Sequence, residues 1–297
     1  MSTVNLNGTG VALVTPFRNG AIDYLSLSSL IDRVITGGVE YIVSLGTTGE
    51  ATSLSDEEQK SVIKHTVESV AGRVPVIAGQ FGGNNTAHLC EKLSSFDTTS
   101  ISAILSSSPA YVRPSQEGIY RHYMALAEAS PLPIVIYNVP SRTASNISAG
   151  TLLRLANDSK KFIGVKDASA DLHQAAAIAR FAPSHFTLLS GDDPSALSLI
   201  ANGGKGVISV IANVYPESFS TMIRNALSGE WGKARHIHYR LLDLHQWLYI
   251  EGNPTGIKEA LAYKGWCGSE LRLPLVEISD SNKAKLHEAM DEVKGMG

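Results

Sequence analysis

Lys166 is the residue whose type and position most clearly predict chemistry in this sequence. It follows the apolar run of residues 162–165, so we predict that it is the last residue of a buried β-strand. Burial disfavours an ammonium group and lowers the pKa of a lysine, which frees the neutral amine to attack a carbonyl carbon. Lys166 is therefore a candidate for Schiff-base chemistry, and the alternative is a structural lysine paired with Asp167 or another carboxylate.

Two side chains near the end of another apolar run, residues 134–137, could assist such a lysine. Tyr137 closes that run and could carry protons, although a core tyrosine with a satisfied hydroxyl is the alternative. Arg142 follows in the same loop, where a guanidinium could bind a substrate carboxylate or simply be solvated.

A candidate binding site for a small carboxylate is the segment Gly46-Thr47-Thr48-Gly49-Glu50, which directly follows the apolar run 41–45. Hydroxyls and free amides at a strand-to-helix junction can bind a small carboxylate, with help from the following helix N-terminus. The same residues could form only a turn. We interpret Glu50 as a helix-start residue rather than a catalytic acid.

The elements that must position these residues alternate regularly. Eight short apolar runs predict strands at residues 11–14, 41–45, 75–78, 101–105, 134–137, 162–165, 186–189 and 206–210. A stretch with helical spacing or a helix-capping residue follows each of them. Eight such pairs predict an α/β fold, a (β/α)8 TIM barrel, in which the carboxyl ends of the strands form the active site.

The alternation stops near residue 229. Helical patterns over residues 231–249, 254–263 and 284–293 follow without strands between them. We therefore predict a catalytic barrel over residues 1–228 and a C-terminal helical appendix over residues 229–297, packed on the barrel or on a partner subunit. No Pro/Gly/Ser-rich linker separates the two regions.

Composition and residue patterns argue against nucleic-acid-binding, membrane-spanning, secreted and metal-binding proteins. The formal net charge of −3 gives no broad basic surface for nucleic acid, and no apolar run approaches the ~20 residues of a membrane helix. The N-terminus lacks the pattern of a signal peptide, and two cysteines outside any C-x-x-C pattern fit a reducing cytoplasm. His236 and His238 are two residues apart and do not share a helix face, so we predict no metal site.

Taken together, these segments resemble the dihydrodipicolinate synthase / N-acetylneuraminate lyase family. The resemblance runs from residues 10–17 to residues 271–275 and rests on the motifs GTTGE, YVRPSQEG, YNVPSRT, FIGVKDAS, LLSGDD and GGKGVISV. It implies a class I aldolase-like barrel that forms a Schiff base with pyruvate. The Thr-Thr pair and Arg142 resemble the branch whose members condense pyruvate with aspartate semialdehyde in lysine and diaminopimelate biosynthesis.

The resemblance also implies a role for each matched residue. Lys166 forms the imine, Tyr137 contacts the bound pyruvate and transfers protons, and Thr47 links Tyr137 to Tyr111 in a hydroxyl relay. Tyr111 is expected to come from a neighbouring subunit, so the implied enzyme is a homo-oligomer, either a dimer or a dimer-of-dimers tetramer.

The remaining implied roles concern binding. Thr48 holds the pyruvate carboxylate, Arg142 holds the carboxylate of aspartate semialdehyde, and Gly191 and Ile208 shape the pocket beside the lysine. No metal or organic cofactor is expected, because the protonated imine is itself the electron sink.

The chain departs from the family pattern for feedback inhibition by lysine. Ala110 stands where the pattern has a tyrosine, His88 where it has a glutamate and Asp56 where it has a histidine, whereas Asn84 matches. Loss of an aromatic wall and a carboxylate weakens binding of a cationic amino acid. We therefore predict weak or absent inhibition by lysine.

Three other functions are compatible with the sequence. The first is another pyruvate-dependent aldolase or lyase acting on a sugar acid or other 2-keto acid. The second is a barrel that has lost catalysis and serves as a binding or structural protein. The third is a phosphate-binding barrel built on residues 203–206, but that glycine-rich segment precedes its strand, so we predict a tight turn there.

Overall fold

The computed structural model describes residues 4–293 and 295. Within them the strands are β1 Gly8–Ala12, β2 Phe17–Arg18, β3 Ala21–Ile22, β4 Tyr41–Ser44, β5 Val76–Ala78, β6 Ala103–Ser107, β7 Ile134–Asn138, β8 Phe162–Asp167, β9 Thr187–Ser190 and β10 Gly206–Ser209. Eight of them close into a parallel barrel in the order β1-β10-β9-β8-β7-β6-β5-β4, and β2 and β3 form a separate antiparallel pair.

Twelve α-helices are described, numbered here in chain order. They are α1 Tyr24–Thr36, α2 Asp56–Val70, α3 Thr86–Ser94, α4 Gln116–Ala129, α5 Pro140–Thr143, α6 Ala149–Asp158, α7 Leu172–Phe181, α8 Ala196–Ala201, α9 Pro216–Leu227, α10 Trp231–Tyr249, α11 Thr255–Tyr263 and α12 Asp280–Glu292. Short 3₁₀ turns cover Ala51–Ser53 and Ile211–Asn213. None of the helices in the described part of the chain has the length and apolarity needed to span a bilayer.

The (β/α)8 barrel predicted from the sequence is confirmed. The small β2–β3 hairpin and the four-residue helix α5 were not predicted, because two to four residues carry too little periodicity to reveal an element. The first strand also lies earlier than predicted: it is Gly8–Ala12 rather than residues 11–14.

The chain groups into two compact units, and the first comprises Met1–Asn7, of which residues 4–7 are described, and Ile77–Ile208. In this unit β6, β7, β8 and β9 pair in parallel, and the register aligns Ser107 with Tyr137, Tyr137 with Lys166, and Lys166 with Leu189. The two middle strands, β7 and β8, are buried along their length, as expected for a parallel sheet covered on both faces. This register places Tyr137 and Lys166 side by side.

The second unit comprises Gly8–Val76 and Ser209–Gly297, and of the latter stretch residues 209–293 and 295 are described. Here β1 pairs with β4, with Val11 opposite Ile42. The capping box predicted at the start of α2 is present, with reciprocal bonds between Ser55 and Glu58. In α10, the three leucines Leu241, Leu244 and Leu248 are buried at helical spacing. The boundary predicted at residue 228 stays a prediction.

Candidate active site

Lys166 lies at the carboxyl end of β8 and is only 5% exposed. It is the penultimate residue of that strand, not the last as predicted, because Asp167 continues the ladder opposite Asn138 and Ser190. The carboxyl ends of barrel strands are where (β/α)8 enzymes place their catalytic groups.

Burial dominates the electrostatics of Lys166. The pKa of Lys166 is lowered from 10.5 to about 8, chiefly by desolvation; the carboxylate of Asp193 opposes this shift, and the charge of Arg142 adds to it. With a pKa near 8, roughly a tenth of the amine is neutral at pH 7, several hundred times more than for an ordinary lysine. The side chain is thereby suited to attack a carbonyl carbon.

The carboxylate next to Lys166 in sequence is bonded elsewhere. Successive residues of a strand point to opposite faces, so Asp167 and Lys166 diverge. Asp167 accepts hydrogen bonds from Asn138 Nδ2 at 3.0 Å and from the amide of Ser169 at 3.0 Å. Its other oxygen accepts from Gln174 Nε2 at 3.4 Å. This geometry disfavours the alternative in which Lys166 is a structural partner of Asp167.

Tyr137 provides the wall beside the lysine. Its ring centroid lies 4.5 Å from Lys166 Nζ, and the residue is 8% exposed. The face of an aromatic ring attracts a cation, so the ring stabilises an ammonium or a protonated imine formed at the same nitrogen. Both residues belong to the first unit and are positioned by the aligned register of β7 and β8.

Gly191 packs against the stem of Lys166. A Cβ atom at position 191 would lie 2.8 Å from Ala168 Cβ, 3.0 Å from Lys166 Cγ and 3.1 Å from Lys166 Cε. The absence of a side chain therefore leaves room for the lysine. Ile208, the other residue predicted to shape the pocket, is 1% exposed on β10.

Tyr111 lies in a loop of the first unit that is bonded to α5, the short helix that contains Arg142. The amide of Tyr111 donates to the carbonyl of Thr143 at 3.2 Å, directly after Arg142 in the short helix α5. Arg142 is exposed. Tyr111 is 88% exposed and has a φ of 70°, a left-handed conformation that is uncommon for an aromatic residue.

In the second unit, Thr47 and Thr48 lie in the tight turns that follow β4. The amide of Gly49 donates to the carbonyl of Gly46, and the amide of Glu50 donates to the carbonyl of Thr47. Thr47 is half-buried, and Thr48 is 2% exposed. Segment 46–50 is thus the turn that the sequence indicated, and the Thr48 hydroxyl accepts a hydrogen bond from Asn253 Nδ2 at 3.0 Å.

Glu50 begins the 3₁₀ turn Ala51–Ser53 in a left-handed conformation, with a φ of 53°. It is also part of a buried ion pair with Lys258, which the sequence did not reveal. Its second oxygen accepts from the amide of Arg272 at 3.1 Å. Glu50 therefore fixes the end of segment 46–50.

Two residues of interest escaped the sequence-based prediction. Asp193, which is buried and modulates the pKa of Lys166, stands in the motif LLSGDD at the end of a predicted strand, so its position could have indicated it. No sequence pattern indicated Asn253, because it is 205 residues from Thr48 and lies between two helices.

The described residues also include the lining of an open cavity, and they include no cluster of metal ligands. An open cavity of 490 Å³ in the second unit is lined by residues that include Arg18, Trp266 and Glu270, and by none of those predicted to do chemistry. Over residues 4–293 and 295, no group of three or more His, Cys, Asp or Glu side chains is arranged to hold a metal ion.

Comparison with known proteins decides the family. Residues 5–293 match the model of the dihydrodipicolinate synthetase family. The chain belongs to this family. A 4-hydroxy-tetrahydrodipicolinate synthase of Azobacteroides pseudotrichonymphae is 45% identical over 291 residues, which cover 98% of each chain.

Solved structures of this family have the same fold. The 4-hydroxy-tetrahydrodipicolinate synthase of Methylacidiphilum fumariolicum SolV is 37% identical, with a TM-score of 0.95 over 98% of this chain and 97% of that one. The dihydrodipicolinate synthase of Acinetobacter baumannii, solved in complex with pyruvate, is 36% identical, with a TM-score of 0.93 over 97% of this chain and 99% of that one.

Proposed function

We propose that this protein condenses pyruvate with L-aspartate 4-semialdehyde, the reaction of a 4-hydroxy-tetrahydrodipicolinate synthase. The observation that carries the proposal is the buried Lys166 amine, with its pKa lowered to about 8 and the ring of Tyr137 beside it. The family of the chain and the names of its relatives agree with this lyase activity in lysine and diaminopimelate biosynthesis.

The reaction begins at the nitrogen of Lys166. The neutral amine adds to the ketone carbon of pyruvate, and loss of water gives a protonated imine. This imine withdraws electrons, so a methyl proton leaves and an enamine forms. The enamine carbon attacks the aldehyde of aspartate semialdehyde, and the substrate's own amine then closes the ring and displaces Lys166. Because the imine is the electron sink, the mechanism requires no metal or organic cofactor.

The other predicted site residues enter the proposal through the family resemblance. Tyr137 transfers protons to and from the bound substrate, and Thr47 connects it to Tyr111. Thr48 binds the pyruvate carboxylate, and Arg142 binds the carboxylate of aspartate semialdehyde.

Gly191 and Ile208 complete the proposal as the residues that shape the pocket. The close approach of Gly191 to the stem of Lys166 supports its part in this assignment. Ile208 enters through the family resemblance, and its burial on β10 agrees with a wall position.

Assembly into a homo-oligomer, a dimer or a dimer-of-dimers tetramer, is part of the same proposal. Tyr111 and its neighbour Val112 are 88% and 57% exposed on the chain by itself. A large aromatic side chain held outward in a left-handed backbone conformation fits insertion into a neighbouring subunit. A cytoplasmic location is also proposed, since Cys90 and Cys267 are free thiols.

Pyruvate consumption with aspartate semialdehyde as the only acceptor tests the proposal, with Lys166→Ala as the blank. We expect turnover that disappears in the variant, and a borohydride-trapped pyruvate adduct on Lys166 by mass spectrometry. Trapping without turnover would instead indicate an aldolase or lyase for a sugar acid or another 2-keto acid, which no observation here favours. Absence of both would overturn Schiff-base chemistry and favour a binding protein.

A further inference from the structure

We infer that Asn253 is a positioning residue for pyruvate, which fixes the hydroxyl of Thr48 as a hydrogen-bond donor. The inference rests on the proposed function, in which Thr48 binds the pyruvate carboxylate. Asn253 Nδ2 donates to Thr48 Oγ1 at 3.0 Å, and both residues belong to the second unit. Thr48 is only 2% exposed, so its hydroxyl is largely shielded from competing bulk water.

The direction of this bond determines what the Thr48 hydroxyl can do. A hydroxyl has one proton and two lone pairs, whereas an amide NH₂ group only donates. Asn253 therefore occupies a lone pair of Thr48 and leaves its proton available for another acceptor. A carboxylate is an acceptor only, and a hydrogen bond accepted by the hydroxyl strengthens the one that it donates.

The backbone around Asn253 is firmly held. The carbonyl of Pro254 accepts from the amide of Lys258 at 3.0 Å in the first turn of α11. The ammonium of Lys258 pairs with Glu50 and donates to the carbonyl of Glu270 at 2.9 Å. Residues 253–258 thus contact segment 46–50 twice, through Thr48 and through Glu50.

The second polar atom of Asn253 indicates that the residue does more than pack. Its Oδ1 is buried and has no hydrogen-bond partner among the described residues. A buried acceptor without a donor destabilises a fold, and a smaller or apolar side chain would avoid that penalty. The amide is therefore better explained by its contact with Thr48 than by stability.

Asn253→Asp is the sharpest test, because aspartate has nearly the same shape but only accepts. It would draw the Thr48 proton toward itself and place a negative charge near the pyruvate carboxylate. We expect the KM for pyruvate, and the pyruvate concentration that gives half-maximal borohydride trapping on Lys166, to rise by about tenfold or more. The value of kcat at saturating pyruvate should change far less.

Asn253→Ala separates the effect of orienting the Thr48 hydroxyl from the effect of the negative charge that aspartate introduces. It leaves the Thr48 hydroxyl free to rotate, so its effect should be smaller than that of Asn253→Asp. In a Thr48→Val background, Asn253→Ala should cause no further rise in the half-trapping concentration, because the hydroxyl on which Asn253 acts is gone. Asn282→Ala is the matched control, because Asn282 donates to Glu251 instead. This variant should leave the KM for pyruvate and the half-trapping concentration unchanged. Thermal unfolding of each variant identifies loss of fold.

The outcomes distinguish this inference from the proposed function. Wild-type protein that is not trapped with pyruvate would overturn both. Normal trapping of the wild type, combined with an unchanged half-trapping concentration in folded Asn253→Asp, would overturn the inference alone. So would a milder effect of aspartate than of alanine, because Asn253 would then accept from Thr48 rather than donate. Equal effects of Asn253→Ala with and without the Thr48 hydroxyl would also refute it.

Discussion

The ring of Tyr137 and the amine of Lys166 lie side by side on neighbouring strands, with the nitrogen 4.5 Å from the ring centroid. The ring that stabilises a cation and the hydroxyl that we propose to transfer protons thus belong to one side chain. The two contributions can be separated by removing the hydroxyl alone.

Tyr137→Phe should fold and still form the pyruvate imine, because the ring beside Lys166 remains. Turnover should fall by roughly 10²- to 10⁴-fold, the usual contribution of a positioned acid or base. Steady-state kinetics and borohydride trapping measure the two properties separately. A variant with unchanged kcat would show that the hydroxyl takes no part in proton transfer.

Imine formation should depend on pH through Lys166. Its pKa of about 8 means that the rate of trapping at subsaturating pyruvate rises with pH up to about 8 and then levels off. Asp193 raises this pKa, so Asp193→Asn should move the midpoint to lower pH. Arg142 lowers it, so Arg142→Gln should move the midpoint to higher pH. Shifts in the same direction, or none, would contradict this electrostatic description.

Gly191→Ala should impair imine formation without unfolding the protein. The new methyl group would lie 2.8 Å from Ala168 Cβ and 3.0 and 3.1 Å from two carbons of Lys166, so Ala168 and the lysine stem must both shift. We expect a fall in trapping of roughly tenfold or more, because reacting groups tolerate little misplacement. Gly232→Ala, where a Cβ meets nothing within 4 Å, is the control and should leave trapping intact. Equal trapping in both variants would refute the packing argument.

Thr47→Val tests the proposed hydroxyl relay. Valine has nearly the same shape as threonine, and Thr47 is half-buried, so the fold should survive. Turnover should fall by roughly 10²-fold, whereas trapping of pyruvate should persist. Full activity in this variant would end the relay hypothesis.

Inhibition by lysine should be weak or absent at physiological concentrations. Ala110 offers no aromatic wall, and His88, which is exposed and 4.0 Å from Glu91, offers no carboxylate of its own. Initial rates across a lysine titration give the answer. Strong inhibition would mean that lysine is bound by other side chains.

The sequence predicted features that depend on neighbours along the chain. Alternating strands and helices indicated the barrel, and the barrel in turn placed Lys166 and Tyr137 at strand ends. The strand end itself was missed by one residue, because the ladder bonds of Asp167 depend on Asn138 and Ser190 in other strands.

Features that depend on distant residues were not predicted. Glu50 was interpreted correctly as a helix-start residue, but its buried pairing with Lys258 requires a contact that no local pattern encodes. Asn253 is the clearest example, because it donates a hydrogen bond to Thr48, which is 205 residues away in the sequence.

The two contacts between residues 46–50 and residues 253–258 have a consequence for recombination between homologues. A crossover anywhere from residue 51 to residue 252 would join the turn of one parent to the helix start of the other. Each hybrid would then carry one half of the Glu50–Lys258 pair and one half of the Thr48–Asn253 pair from each parent. Segments 46–50 and 253–258 should therefore be inherited together in any functional chimera, although most of the barrel lies between them.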